Sequence, residues 1–228
     1  MTLHFHGTPI TPRRELETLA GRSFCVSFAA PQDVARCHQI GQAVMLDNGA
    51  FSAWRAGKAT DWPGYYKWTD EWLDHPTTWA VIPDVIEGDE AANDKLMAQW
   101  PHGTRQGWAV WHLHESLHRL QKIVYGRGQV CFGSSAEFAV VGSPAWRRRI
   151  EQALEAIHSH RPRIHMLRGM AALRFGYPFY SVDSTDAARN HNRPQNTALE
   201  MVERWDAIQA APWRDRNHRQ PDLGLEIV

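Results

Sequence analysis

Six short apolar runs in this chain end in residues that can carry chemistry. Asp47 closes the run from residue 43 and is followed by Asn48-Gly49-Ala50-Phe51-Ser52, and Asp84 follows Pro83. Further along stand His112-Leu113-His114-Glu115, Gly133-Ser134-Ser135, the stretch His165 to Gly169, and Asp183-Ser184-Thr185-Asp186. A single aspartate in such a place can simply cap the helix that follows. Three carboxylates brought to one mouth repel one another, a cost that makes sense where they serve as acid, nucleophile or hydrogen-bond acceptor for a ligand. His112 and His165 would face the same cavity or the core beneath it, and a lone histidine there can equally be a hydrogen-bonded core residue.

Positioning such residues requires repeated strands whose ends meet. The β-rich runs are Leu3 to Gly7, Ser23 to Ala29, Ala43 to Asp47, Trp79 to Pro83, Gly107 to Leu113, Gln129 to Gly133, Arg163 to Leu167 and Phe179 to Asp183. Between them lie apolar stripes at helical spacing: Val34, Cys37 and Ile40; Leu117, Leu120 and Val124; and Trp146, Ile150, Ala153, Leu154 and Ile157 after a Ser143 cap with Pro144 in the first turn. A last helix over residues 197–209 carries Ala198, Met201, Val202, Trp205 and Ile208 on one side. Eight alternating strand and helix units in 228 residues predict an α/β fold, a single compact (β/α)8 TIM barrel spanning residues 1–228. A doubly wound open sheet is the alternative, and neither a Gly-x-Gly-x-x-Gly after the first strand nor a Gly-x-x-x-x-Gly-Lys supports it. In a barrel the active site sits at the strand C-termini, where the polar residues above are concentrated.

Composition narrows the function classes. With 43 % apolar and 22 % charged residues the chain has the profile of an ordinary globular domain. Twenty-five basic residues balance 25 acidic ones, so any nucleic-acid contact must come from local patches. No apolar run reaches the roughly 18 residues of a spanning helix, and two histidines stand in the first twelve residues where a signal peptide would be apolar. The expectation is a cytoplasmic protein with no membrane partner. Cys25, Cys37 and Cys131, odd in number and widely spaced, read as small buried apolar residues. Oligomeric state is not legible, although a small barrel with a neutral surface could pair as a homodimer.

Five motifs together resemble the tRNA-guanine transglycosylase superfamily: Leu46-Asp47-Asn48-Gly49-Ala50-Phe51, Pro83-Asp84, Phe132-Gly133-Ser134, His165-Met166-Leu167-Arg168-Gly169 and Ser181-Val182-Asp183-Ser184. The chain is most similar to the short phage and genomic-island branch, which exchanges guanine in DNA for a 7-deazaguanine of the preQ0 type. The resemblance spans roughly Met45 to Asn190. It implies that Asp183 is the nucleophile and Asp47 the general acid/base. Asp84 would read the guanine edge, with Asn48 beside it, and Phe51 would stack on the base. Gly133 and Ser134 stand where the family has a Gly-Gly pair facing the purine carbonyl, and His112 stands where the tRNA enzymes carry glutamine; His165 would complete the base pocket. The family's C-terminal zinc cluster has no counterpart among the cysteines here, so neither metal nor cofactor is expected and a tRNA target becomes the alternative to DNA.

The chemistry implied is exchange at a sugar C1′ through an oxocarbenium-like state, with one carboxylate capturing the sugar and another handling the proton. An ionised carboxylate accepts two parallel hydrogen bonds, which suits the ring N–H and exocyclic amine of guanine and not adenine. The target base must be single-stranded or flipped out. Arginines that could hold phosphates are Arg147, Arg148 and Arg149, Arg161 and Arg163, Arg189, and Arg214, Arg216 and Arg219; each group can equally be a solvated face. Trp62, Trp68 and Trp72 with Tyr65 and Tyr66 either line a lid or pack a helix on the barrel. Two rival readings stay open. One is a metal-dependent TIM-barrel hydrolase of the amidohydrolase kind, because His4 and His6 share a strand face and His112, His165 and Asp183 could complete a ligand set. The other is a binding module that kept a base pocket without turnover.

Overall fold

A computed structural model of the chain describes residues 1–193 and 196–213; Arg214, Arg216 and Arg219 lie outside the described residues. The strands are β1 (Leu3–Gly7), β2 (Ser23–Ser27), β3 (Ala43–Asp47), β4 (Thr78–Val81), β5 (Gly107–Trp108), β6 (Val110–His112), β7 (Gln129–Gly133), β8 (Arg163–Met166) and β9 (Ser181–Ser184). Every pairing is parallel and the order is β5-β4-β3-β2-β1-β9-β8-β7-β6. The expected fifth strand is divided at Ala109: β5 pairs with β4, while β6 pairs with β7. Ala109 O accepts from Cys131 N at 2.9 Å, so one extended segment stands at both ends of the order and brings the sheet round to a nearly closed α/β barrel. The count of nine against the expected eight reflects a strand that changes partners midway.

Side chains alternate across this wall, as a strand period of two requires. Phe5, Cys25, Ala43, Met45, Trp79, Val81, Trp108, Val110 and Cys131 fill the lumen. Their neighbours Phe24, Val26, Val44, Leu46, Ala80, Trp111, Val130, Phe132, Ile164, Met166 and Val182 form the outer layer under the helices. The helical stripes expected from the sequence lie on that layer. Ser116 caps helix Leu117–Arg127, Ser143 caps Pro144–Ile157, and Thr197 with Glu200 forms a capping box on Ala198–Asp206. In helix Trp62–Trp72, Tyr65 and Trp68 are buried against the wall, and Trp62, Tyr66 and Trp72 pack around them. This aromatic cluster is wall packing, not a lid. All three cysteines are free and buried. Among the described residues no helix is long and apolar enough to cross a membrane.

The parity decides the fate of His4 and His6. Phe5 is in the lumen, so its two neighbours point outward, where His4 Nε2 meets Ile208 O at 2.9 Å and His6 Nε2 donates to Asp206 Oδ1 at 3.0 Å. They do share a face, but it is the one covered by helix Ala198–Asp206 and its C-terminal continuation.

Candidate active site

The inward series of each strand ends in the residue that lines the mouth. In β3 the lumen residues Ala43 and Met45 are followed at the same spacing by Asp47; in β9 Ser181 is followed by Asp183; in β6 Val110 by His112; and in β7 Cys131 by Gly133. With Gly7, Cys25, Ser27, Val81, Asp84 and Leu167 they enclose a cavity of about 440 Å³. Asn48, Phe51, Ser134, Arg168 and Arg189 complete the rim. Asp47 at the end of β3, Asp183 in β9 and Asp84 in the loop after β4 therefore share one cavity.

Asp183 is held asymmetrically. Its Oδ1 accepts from the Arg168 backbone N–H at 2.6 Å and from His165 Nε2 at 3.2 Å, whereas Oδ2 takes no hydrogen bond among the described residues. His165, fully buried, is braced in turn by a 2.8 Å contact between Nδ1 and Ser181 Oγ and by the edges of Phe5 and Trp79. It braces Asp183 from beneath and is not among the residues that line the cavity.

Asp47 sits in a different environment. Its carboxyl is pushed up to about 6, chiefly because burial disfavours the charge; the Ser27 hydroxyl and Gly49 N–H oppose this, and the Asp183 and Asp84 carboxylates reinforce it. Gly49 N donates to Asp47 Oδ2 at 3.2 Å, and Gly49 adopts φ +76°, a left-handed turn that opens helix Ala50–Arg55. That turn carries Phe51 to the rim.

Asp84 is locked on both oxygens. Asn48 Nδ2 donates to Oδ1 at 2.7 Å and His112 Nε2 to Oδ2 at 2.8 Å, and Asn48 also donates to Ile82 O at 2.9 Å. Each oxygen keeps a second lone pair for a ligand. Asn48 thus ties the end of β3 to the loop after β4, while the Tyr65 hydroxyl lies 2.7 Å from Val81 O and 3.2 Å from Leu46 O below it. The His112 ring lies over Gly133: a Cβ on Gly133 would stand 2.8 Å from Nδ1. That close approach is why glycine occupies the position. Ser134 Oγ accepts from Trp146 Nε1 at 2.9 Å, which fixes the oxygen and leaves its O–H as the group that can donate.

The arginines separate into groups. Arg189 lines the cavity. Arg147 and Arg148 are exposed near the N-terminus of helix Pro144–Ile157, outside the cavity, and Arg149 turns inward to Leu113 O at 2.7 Å and to Glu115 O. Arg163, at the start of β8, lies at the opposite end of the barrel with its guanidinium 5.4 Å from the Tyr180 ring. A larger cavity of about 810 Å³ opens there, lined by Trp79, Trp108, Tyr180 and Arg163, and none of the three mouth aspartates reaches it. Arg163 therefore stands apart from the cavity that holds Asp47, Asp84 and Asp183.

Arg168 lies within the motif His165-Met166-Leu167-Arg168-Gly169, and nothing in its residue type distinguishes it from the other arginines. Its φ of +51° places it in the left-handed region, its backbone N–H holds Asp183, and its guanidinium lies 3.7 Å above the Phe51 ring. Only a tertiary contact between two distant loops reveals it. Among the described residues no group of three or more His, Cys, Asp and Glu side chains is arranged to hold a metal. No family model, curated protein or solved structure matches the chain.

Proposed function

We propose that this barrel is a base-exchange transglycosylase that replaces guanine in DNA by a 7-deazaguanine through a glycosyl ester on Asp183. The observation that carries the reading is the unequal treatment of two carboxylates in one cavity: Asp183 with one oxygen tethered and the other free, and Asp47 with its carboxyl raised to about 6. Carboxyl groups of one type in environments that separate their behaviour are the signature of divided nucleophile and acid roles.

In the first half-reaction Asp183 Oδ2 forms a bond to C1′ as the bond from C1′ to the base nitrogen breaks. The electron pair leaves with guanine, and the Asp47 carboxyl supplies the proton that neutralises it. In the second, the Asp47 carboxylate takes the ring N–H proton of the incoming 7-deazaguanine, whose nitrogen attacks C1′ and releases the Asp183 carboxylate. Two inversions give retention at C1′. Asp84, fixed by Asn48 and His112, accepts the paired donors on the guanine edge through its remaining lone pairs.

The experiment is exchange of labelled guanine and labelled 7-deazaguanines into single- and double-stranded DNA and into bulk tRNA, with Asp183→Asn run beside the wild type. Label entering DNA only with intact Asp183 supports the reading. Label entering tRNA instead keeps the chemistry and overturns the target, and no label in either polymer overturns the reading. The metal-hydrolase reading draws no support from the geometry, because His4 and His6 face helix Ala198–Asp206 instead of the cavity.

A further inference from the structure

The Phe51 ring, on which an extruded base would stack, already carries a partner. The Arg168 guanidinium lies 3.7 Å from the ring centroid, and Arg55 stands 5.9 Å from the same centroid. Among the described residues the guanidinium makes a single long hydrogen bond, to Ser134 O at 3.3 Å, and it feels the Asp183, Asp47 and Asp84 carboxylates below it only at a distance, without a direct ion pair. Its backbone is fixed far more firmly, by the 2.6 Å hydrogen bond from its N–H to Asp183 Oδ1. The left-handed φ of +51° lets one residue do both, pointing its N–H down to Asp183 while its side chain crosses the rim to Phe51. Strain of this kind in a bulky residue persists where the surroundings demand it.

A base cannot stack on the face of Phe51 that Arg168 covers until the guanidinium moves. Moving it costs a modest amount, since Arg168 is itself exposed, the Phe51 ring is half-buried, and a phosphate contact can replace the contact of cation and ring. The released cation stays tethered at the rim, where the 5′ or 3′ phosphate of the nucleotide whose base has entered the cavity must pass. The guanidinium fork matches a phosphodiester better than any other side chain does.

We propose that Arg168 is a substrate-binding residue that exchanges the Phe51 ring for a backbone phosphate of the substrate strand, so that the site selects a nucleotide within a polymer over a free nucleoside. The proposal rests on the transglycosylase reading and adds to it the substrate feature that is recognised beside the base. Arg189 in the cavity wall and Arg55 beside Phe51 place two further cations along the same rim.

The test measures binding of a fluorescently labelled single-stranded oligodeoxynucleotide containing guanine across a salt series, for the wild type, Arg168→Gln and Arg168→Gly. Glycine accepts the left-handed backbone and so preserves the N–H to Asp183. The expected result is about a tenfold weaker strand affinity for both variants, the loss of one charge-assisted contact. The slope of log affinity against log salt should become shallower by about 0.7, the release of one counterion from a single strand. In the exchange assay the KM for the strand should rise while the KM for the free base stays within about twofold. Misfolding would not change the salt slope in this selective way, and circular dichroism of both variants controls for it. Unchanged slopes and affinities, in a wild type that exchanges guanine, overturn the role of Arg168 and leave the function standing. A wild type that neither binds the strand nor exchanges its base overturns both.

Discussion

At the scale of single residues the site depends on Asp183 and Asp47 being chemically unlike. On the proposed mechanism, replacing Asp183 by Asn removes the nucleophilic oxygen and keeps the shape, so exchange is expected to fall by about three orders of magnitude or more. A glycosyl adduct on a peptide containing residue 183, seen by mass spectrometry after acid quench of the wild type, should be missing from the variant. Asp47 yields a prediction with a sign. Its folded value of about 6 lies above the ordinary 3.8, so its carboxyl favours the fold fully below about pH 4, and that contribution is lost as pH rises through 6. Asp47→Asn should therefore be more stable than the wild type at pH 8, by up to about 3 kcal/mol, and nearly equal to it at pH 4. Urea midpoints at the two pH values measure this, and an equal shift at both would contradict the buried, raised carboxyl. With Asp47 as the proposed acid, single-turnover loss of guanine should slow above about pH 6 as its protonated form is depleted.

At the scale of elements the three aspartates are aligned by contacts between strand ends. Asn48 joins β3 to the loop after β4 by donating to Ile82 O and Asp84 Oδ1, and it accepts from Ala50 N at 2.9 Å to start the next helix. Asn48→Ala leaves these groups unpaired in a buried place and should cost about 1–3 kcal/mol, with a rise in KM for guanine as Asp84 loosens. Gly133→Ala acts differently, by placing a methyl against the His112 ring and Val110 Cγ1. It should displace the ring from Asp84 and destabilise by about 1–3 kcal/mol, read as a lower urea midpoint. The motifs Asp47-Asn48-Gly49 and Phe132-Gly133-Ser134 were visible as strings. Their reasons, a left-handed turn in one and a ring seated on glycine in the other, depend on neighbours from other strands.

At the scale of the whole molecule the barrel has two unlike ends. The mouth gathers the aspartates with Arg168 and Arg189, and the opposite end holds the larger aromatic cavity with Arg163. A strand engaged at the mouth should not reach Arg163, so Arg163→Ala is expected to leave the salt slope of oligonucleotide binding at the wild-type value. A slope reduced as much as in Arg168→Gln would place the strand path elsewhere. The closure that creates these ends depends on the segment Gly107–His112, which gives its first half to β4 and its second to β7.

What the sequence determined by itself is what local physics can express. Apolar alternation located the strands, serine and threonine before apolar stripes located the helix starts, and polar residues after each strand identified the end where the three aspartates meet. The spacing of His4 and His6 established that they share a face, yet a period of two cannot say which face is the lumen. Only the paired sheet decided that, by placing Phe5 inside and both imidazoles under helix Ala198–Asp206. The same holds for Arg168 on Phe51, Asn48 on Asp84 and His165 beneath Asp183. Each is a contact between residues far apart in the chain, and its existence depends on where closure of the barrel brings the strand ends together in space.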